Sequence, residues 1–260
     1  MKYNRIYVNG CSYSCAYGLN WEKTKEFYKN NMGVEILNHL DYSYPTLLAN
    51  KLNVEIVNDA IPGGSIPRMI RTTYEYLIKN ENTYNKTLFI LEIPPGWRDE
   101  FFSNELKRTI NITIGNIHFS YDKTEEANGF NRMESLNVIK ELRKYFYNFV
   151  NVEYDTFKCV TQLIGLFSYL KQNKIEFYII DNGIFENFLK NNKIKEKYDF
   201  IKFNDMYLYD FIDAAGLTIS LETGGNINDS HAGVNGNKII AEMIYNKIKN
   251  IKIENNKNLL

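Results

Sequence analysis

Four short apolar runs, each separated from the next by a stretch of helical periodicity, constrain this chain's fold more than any other feature. Ile6-Tyr7-Val8 stops at Asn9-Gly10, Val54 to Val57 stops at Asn58-Asp59, Leu88 to Ile93 (LFILEI) stops at Pro94-Pro95-Gly96, and Ile175 to Ile180 (IEFYII) is the fourth. The most continuous of these, LFILEI, suits a strand covered on both faces. Between them, Ser43-Tyr44-Pro45 opens a helix with Leu47, Leu48 and Leu52 on one face, proline being tolerated in the first turn. Further helices are predicted over about Pro67 to Lys79, Tyr154 to Gln172 and Lys238 to Lys249, the last with Ile240, Met243, Ile244 and Ile248 as a stripe. Alternating strand and helix is the pattern of a parallel sheet with crossover helices. The expected architecture is a three-layer α/β/α sandwich on a mainly parallel sheet of about five strands.

The alternation lapses after Pro94-Pro95-Gly96-Trp97. Thr109 to Tyr121 alternates as a hairpin would, with Ile110, Ile112 and Ile114 before Gly115-Asn116 and Ile117 and Phe119 after it. A helix over about Met133 to Phe149 follows, so residues 100–150 read as an insertion in one domain spanning 1–250. Other helices are expected near Trp21 to Asn31, Phe185 to Asn191 and Met206 to Ala215, and residues 251–260 read as a fraying tail.

Composition narrows the partners. Lysine plus arginine and aspartate plus glutamate both total 31, so the overall charge favours neither nucleic acid nor an anionic membrane. No apolar run approaches the roughly 20 residues that span a bilayer, and MKYNRIYVNGCS is too weakly apolar for a signal peptide, which points to the cytoplasm. Cys11, Cys15 and Cys159, odd in number and away from histidines, suit reduced thiols. No cofactor or metal is expected, because no cluster of three or four ligands is present. Most of the 20 tyrosines and 16 phenylalanines belong to core and half-buried positions, though some could line a sugar-binding surface.

Chemistry has few places to reside. Ser12 falls just past the carboxyl end of the first strand, where open α/β sheets bind their ligands. Three histidines are present, His39, His118 and His231. His231 lies in NINDSHAGVNGN, a glycine- and asparagine-rich loop directly before the last helix, with Asp229 two residues ahead. A carboxylate at that range can hold an imidazole's tautomer and stabilise its cation. A surface or structural role is the competing reading for a lone histidine. Cys11 reads as a small packed side chain, since successive residues at a strand end point to opposite sides.

Taken in order, these segments resemble the SGNH, or GDSL-type, hydrolase superfamily. Gly10-Cys11-Ser12 is similar to its Gly-Asp-Ser block, Asn58-Asp59-Ala60-Ile61-Pro62-Gly63-Gly64-Ser65 to its second block, and Asp229-Ser230-His231 to its Asp-x-x-His block. The resemblance implies the flavodoxin-like sheet of that superfamily. It also implies a serine esterase in which Ser12 attacks an acyl carbon, His231 carries the proton, Asp229 orients His231, and the Ser12 and Gly63 N–H groups bind the oxyanion.

The match departs from the pattern in two places. The third block, Gly-x-Asn-Asp, is replaced after the third strand by Glu92-Ile93-Pro94-Pro95-Gly96-Trp97-Arg98-Asp99-Glu100, so the oxyanion asparagine is missing. Arg98 either supplies a cation there or is a surface residue paired with Asp99 or Glu100. The Asp-x-His spacing puts Asn228 where aspartate is usual, so either Asp229 serves from a shorter turn or a Ser-His dyad uses a carbonyl. The expected activity is hydrolysis or transfer of a small acyl group such as acetyl, with a small-molecule or glycan ester as substrate. The alternative is a binding or structural protein of the same fold without catalysis.

Overall fold

The computed structural model describes residues 2–94, 96, 98–103, 108–112, 144–145, 148, 151–181 and 217–257. Strands β1 (Arg5–Asn9), β2 (Glu55–Asn58), β3 (Thr87–Glu92) and β6 (Phe177–Ile180) form one parallel sheet in the order β2-β1-β3-β6. Period-two alternation sorts the sheet's residues between two helical layers. Ile6 and Val8 of β1 and Leu88 and Ile90 of β3 pack with α2 (Tyr44–Leu52) and α6 (Val234–Lys257) through Leu48, Ile240 and Ile244. On the other face Tyr7, Phe89, Leu91 and Ile179 meet α3 (Ile66–Lys79) and α4 (Val152–Gln172) through Met69, Leu77, Leu163 and Phe167. This is the three-layer sandwich expected. Fully burying each such side chain contributes about 1.5–3 kcal/mol, so both layers are needed to hold the central strands.

Local chemistry sets the helix starts. Ser43 and Ser65 accept hydrogen bonds from the Thr46 and Arg68 N–H groups, and a proline occupies the first turn of both α2 and α3. Asn151 caps α4 by accepting from the Tyr154 N–H at 3.0 Å. At the start of α6 the Glu222 carboxylate accepts from the N–H groups of Asn235 (3.3 Å) and Gly236 (2.8 Å) and from the Tyr28 hydroxyl (2.7 Å), placing negative charge at the positive end of the helix dipole.

The structure departs from expectation at one added strand and at the tail. Residues 108–112 do form a strand, β5 (Arg108–Ile112), but it pairs antiparallel with β4 (Asp99–Ser103), which the sequence reading passed over. Asp-Glu-Phe-Phe-Ser lacks clean alternation, and the strand is fixed from outside: Arg71 of α3 grips Glu100 with two hydrogen bonds of 2.8 and 2.7 Å. The Gly115-Asn116 turn and its return limb lie outside the described residues, as do nearly all of the Met133–Phe149 helix, the Phe185–Asn191 and Met206–Ala215 helices and any fifth strand. The stretch read as a tail from 251 continues α6 to Lys257, since no glycine or proline stops it. Helix α1 (Glu22–Met32) stands where expected, and the short helix α5 (Ile219–Glu222) lies ahead of α6 in the chain. Among the described residues no helix is long and apolar enough to cross a membrane.

Burial pushes several acidic protons upward: the Cys159 thiol to about 11, and the Cys15 thiol and the Tyr7, Tyr28 and Tyr44 phenols above their usual values. In the unfolded chain the thiols ionise near about 8.5 and the phenols near about 10. Above those values the unfolded state binds fewer protons than the folded one, so stability falls as pH rises. The urea midpoint is therefore expected to drop between about pH 8 and pH 11, with little change between about pH 7 and pH 8. A midpoint unchanged up to pH 11 would contradict this burial.

Candidate active site

The strand order places a topological switch point between β1 and β3: the chain leaves β1 toward β2 on one side and returns to β3 on the other. Their carboxyl ends open the crevice where such sheets bind ligands. Ser12 follows β1 into it and is 8% exposed. Its loop is tightly turned, with the Tyr17 N–H bonded to the Ser12 carbonyl at 3.0 Å and the Ala16 N–H to the Tyr13 carbonyl at 3.1 Å. Ala16 takes the left-handed conformation at φ 50°, a strained state for an L-residue. Asn58 braces the loop from the second block, its Nδ2 donating to the Ser14 carbonyl at 2.9 Å. Cys11, in the loop itself, is fully buried.

Asp229 and His231 come together in a short turn. Asp229 Oδ1 lies 2.6 Å from His231 Nδ1 and also accepts from the His231 backbone N–H at 2.8 Å. With Nδ1–H pointed at the carboxylate, Nε2 keeps its lone pair for proton transfer. The Asp229 side chain is 2% exposed and that of His231 20%. Asp229 Oδ2 is buried without a hydrogen-bond partner among the described residues. Backbone bonds from Ile219 N–H to the His231 carbonyl (2.8 Å), Ser220 N–H to the Asp229 carbonyl (2.9 Å) and Gly233 N–H to the Leu217 carbonyl (2.9 Å) fasten the turn to residues 217–220.

The two loops touch. The Tyr13 ring, next in chain to Ser12, packs on the His231 imidazole with centroids 5.0 Å apart, and its hydroxyl donates to the Ser230 carbonyl at 3.0 Å. Tyr17 meets the imidazole edge-on at 6.5 Å and in turn meets Trp21, which is 44% exposed, at 6.5 Å. Gly18 lies directly under the pair: a Cβ there would come 2.7 Å from Asp229 Oδ2 and 2.9 Å from His231 Cβ.

The second block also reaches the crevice. Gly63 has φ 68°, a left-handed conformation cheap only for glycine, and a Cβ on Gly64 would overlap the Gly10 carbonyl oxygen. The Arg98 guanidinium donates from Nη1 to the Gly64 carbonyl at 3.4 Å. Arg98 therefore adjoins the loop that carries the Gly63 N–H. Of the partners weighed for it in the sequence, Glu100 is held by Arg71 and Asp99 lies 3.8 Å from Lys158.

Sequence reasoning passed over Tyr13, Tyr17, Gly18 and Glu92. Only Glu92 carried a signal, a charged residue inside the otherwise apolar run LFILEI. His39 sits in a separate 3-10 turn, and His118 lies outside the described residues. Among the described residues no group of three or more His, Cys, Asp or Glu side chains is placed to hold a metal.

Sheet order, layers and crevice together define a three-layer α/β/α fold with the flavodoxin-like strand order. No family model and no curated protein matches the sequence. Among solved structures the chain is similar to the psychrotrophic esterase EstA from a Pseudoalteromonas species, inhibited by monoethylphosphonate. The two share 14% identity and a TM-score of 0.50 over 95% of this chain and 97% of that one. A protein assigned to the G-D-S-L lipolytic family of Desulfitobacterium hafniense aligns at 12% identity and a TM-score of 0.48, over 94% and 98% of the two chains.

Gly18→Ala is expected to destabilise the fold by about 1–3 kcal/mol through overpacking and to displace the His231 ring. Urea unfolding and the imidazole resonances of His231 report the two effects. An unshifted ring in a folded variant would show that the turn does not rest on Gly18.

Proposed function

We propose that the chain is a serine ester hydrolase acting through an acyl-enzyme on Ser12. The observation that carries this reading is the Asp229–His231 bond on a turn packed against Tyr13, the residue beside Ser12. In this reading His231 Nε2 takes the Ser12 hydroxyl proton as Oγ attacks the ester carbonyl, and Asp229 steadies the imidazolium that forms. The Ser12 and Gly63 N–H groups, with the Arg98 cation beside Gly64, receive the charge developing on the carbonyl oxygen. His231 returns the proton to the leaving alcohol. Water, or a second hydroxyl in the case of transfer, then takes the acyl group from Ser12.

The general acid protonates the leaving oxygen, so the alcohol part of the ester belongs on the imidazole's side of the crevice. The Tyr17 and Trp21 rings line that side. Flat apolar-faced groups, a sugar ring or an aryl ring, stack on such a surface. This favours a glycan or an aryl alcohol as the alcohol part of the ester, and with it we propose a small acyl group such as acetyl.

A fluorophosphonate probe, matched to the phosphonate inhibition of EstA, is expected to label Ser12, and Ser12→Ala to abolish labelling and p-nitrophenyl acetate turnover. His231→Ala should lower turnover by about 10³-fold or more, and Arg98→Ala by about 10²- to 10³-fold, the range for loss of an oxyanion donor. Folded protein that leaves the probe unreacted would instead fit a non-catalytic binding protein. Trp21→Ala should raise KM for p-nitrophenyl acetate and for an acetylated sugar while leaving KM for ethyl acetate unchanged; equal effects on all three would remove the stacking role.

A further inference from the structure

Glu92 closes β3 as the only charged residue of an apolar run, and it is fully buried. A carboxylate in such a layer costs stability unless its lone pairs are filled, and an apolar residue of similar volume would pack there at lower cost. Among the described residues, every hydrogen bond to the Glu92 side chain comes from one loop. Oε1 accepts from Cys11 Sγ at 2.8 Å, and Oε2 accepts from the Ser14 N–H at 2.9 Å and the Ser14 hydroxyl at 2.5 Å. Cys11 and Ser14 bracket Ser12.

A second layer fixes the direction of these bonds. The Tyr44 hydroxyl on α2 lies 2.6 Å from Ser14 Oγ, and burial keeps that phenol protonated by pushing its pKa up. Tyr44 therefore donates to Ser14, and Ser14 donates to Glu92. The Tyr44 N–H is itself tied to Asn237 Oδ1 of α6 at 2.9 Å, so the chain of bonds runs from the helical layer to the crevice.

We propose that Glu92 is the positioning residue of the nucleophile loop, gripping it on both sides of Ser12 so that the Ser12 hydroxyl and N–H meet an ester carbonyl in one fixed geometry. The catalytic part of this proposal rests on the esterase reading, whereas the grip on the loop does not. The position is the one that follows from the fold. Strand β3 neighbours β1, so the residue ending β3 lies beside the loop leaving β1, and a side chain there can brace that loop without reaching the substrate.

The three cysteines give a test that is independent of activity. Cys11 and Cys15 lie in the gripped loop, while Cys159 is buried in the opposite layer. In the full chain, Glu92→Leu is expected to raise the reaction of Cys11 and Cys15 with 5,5′-dithiobis(2-nitrobenzoate) by roughly tenfold or more through local opening, with Cys159 at its wild-type rate. Turnover of p-nitrophenyl acetate should lose about 10²-fold in kcat, as misplacement of a reacting group does, with KM little changed. Glu92→Gln, which keeps one carbonyl oxygen for Ser14, should fall between. Ser14→Ala should show the same pattern more weakly, and it decides the matter if Glu92→Leu does not fold.

Exposure of all three thiols together would overturn the proposal in favour of a general stability role. Wild-type thiol protection in Glu92→Leu, or a wild-type kcat in spite of loosened thiols, would overturn it as well. If the wild-type protein neither labels nor turns over ester, the esterase reading falls, and the thiol pattern alone decides whether Glu92 grips the loop.

Discussion

The parallel pairing of β1 with β3, in register from Arg5 opposite Thr87 to Asn9 opposite Leu91, is the constraint on which the site depends. It brings two carboxyl strand ends side by side at the point where the connections diverge, so that the loop after β1 and the residue ending β3 share one crevice. Both helical layers serve that pairing. Each covers one face of the same two strands, and neither strand has an edge exposed to solvent, because β2 and β6 flank them. A one-residue slip of register would exchange the faces of β1 and carry Ser12 away from the crevice.

Polar contacts inside this frame are concentrated where loops meet. Asn9, the last residue of β1, is fully buried, and its Nδ2, with two hydrogens to donate, lies within hydrogen-bond distance of the Tyr7 hydroxyl, the Thr72 and Thr73 hydroxyls and the Met69 carbonyl, which ties the strand end to α3. Asn237 plays a matching part between α6 and α2, donating to the Ala232 and Gly233 carbonyls and accepting from Tyr44. A small apolar cluster of Ala16, Leu19, Tyr28, Ile219 and Val234 joins the far end of the Ser12 loop to the segments around the Asp229–His231 turn. The two loops of the candidate site thus share supports, and neither can shift far alone. Satisfied buried networks of this kind specify one arrangement at some expense in stability.

The elements most readily read from the sequence were those whose signals are local. Continuous apolar runs marked the four strands, and Ser43-Tyr44-Pro45 marked the start of α2 by a cap and a proline that act within one turn. Strand β4 carried no such signal, since its five residues are held by pairing with β5 and by Arg71 from a distant helix. The roles of charged neighbours were likewise unreadable. Asp99 and Glu100 stand next to Arg98 in the chain, yet Arg71, far away in sequence, takes Glu100. The short Asp-x-His spacing goes with a local geometry visible only in three dimensions: one Asp229 oxygen contacts both the ring and the backbone N–H of His231.

The sequence alone determined the layer architecture, the four strands of the parallel sheet with the main helices between them, and the identities of Ser12, Asp229 and His231 as candidates. Hydrophobic periodicity and turn chemistry act over a few residues, which is why a linear reading reaches them. Tertiary structure alone decided that Tyr13 and Tyr17 enclose the imidazole, that Arg98 adjoins Gly64, and that Glu92 braces the loop of Ser12. Those relations join residues tens to hundreds of positions apart, and their energies come from burial and hydrogen-bond geometry that exist only once the sheet has formed.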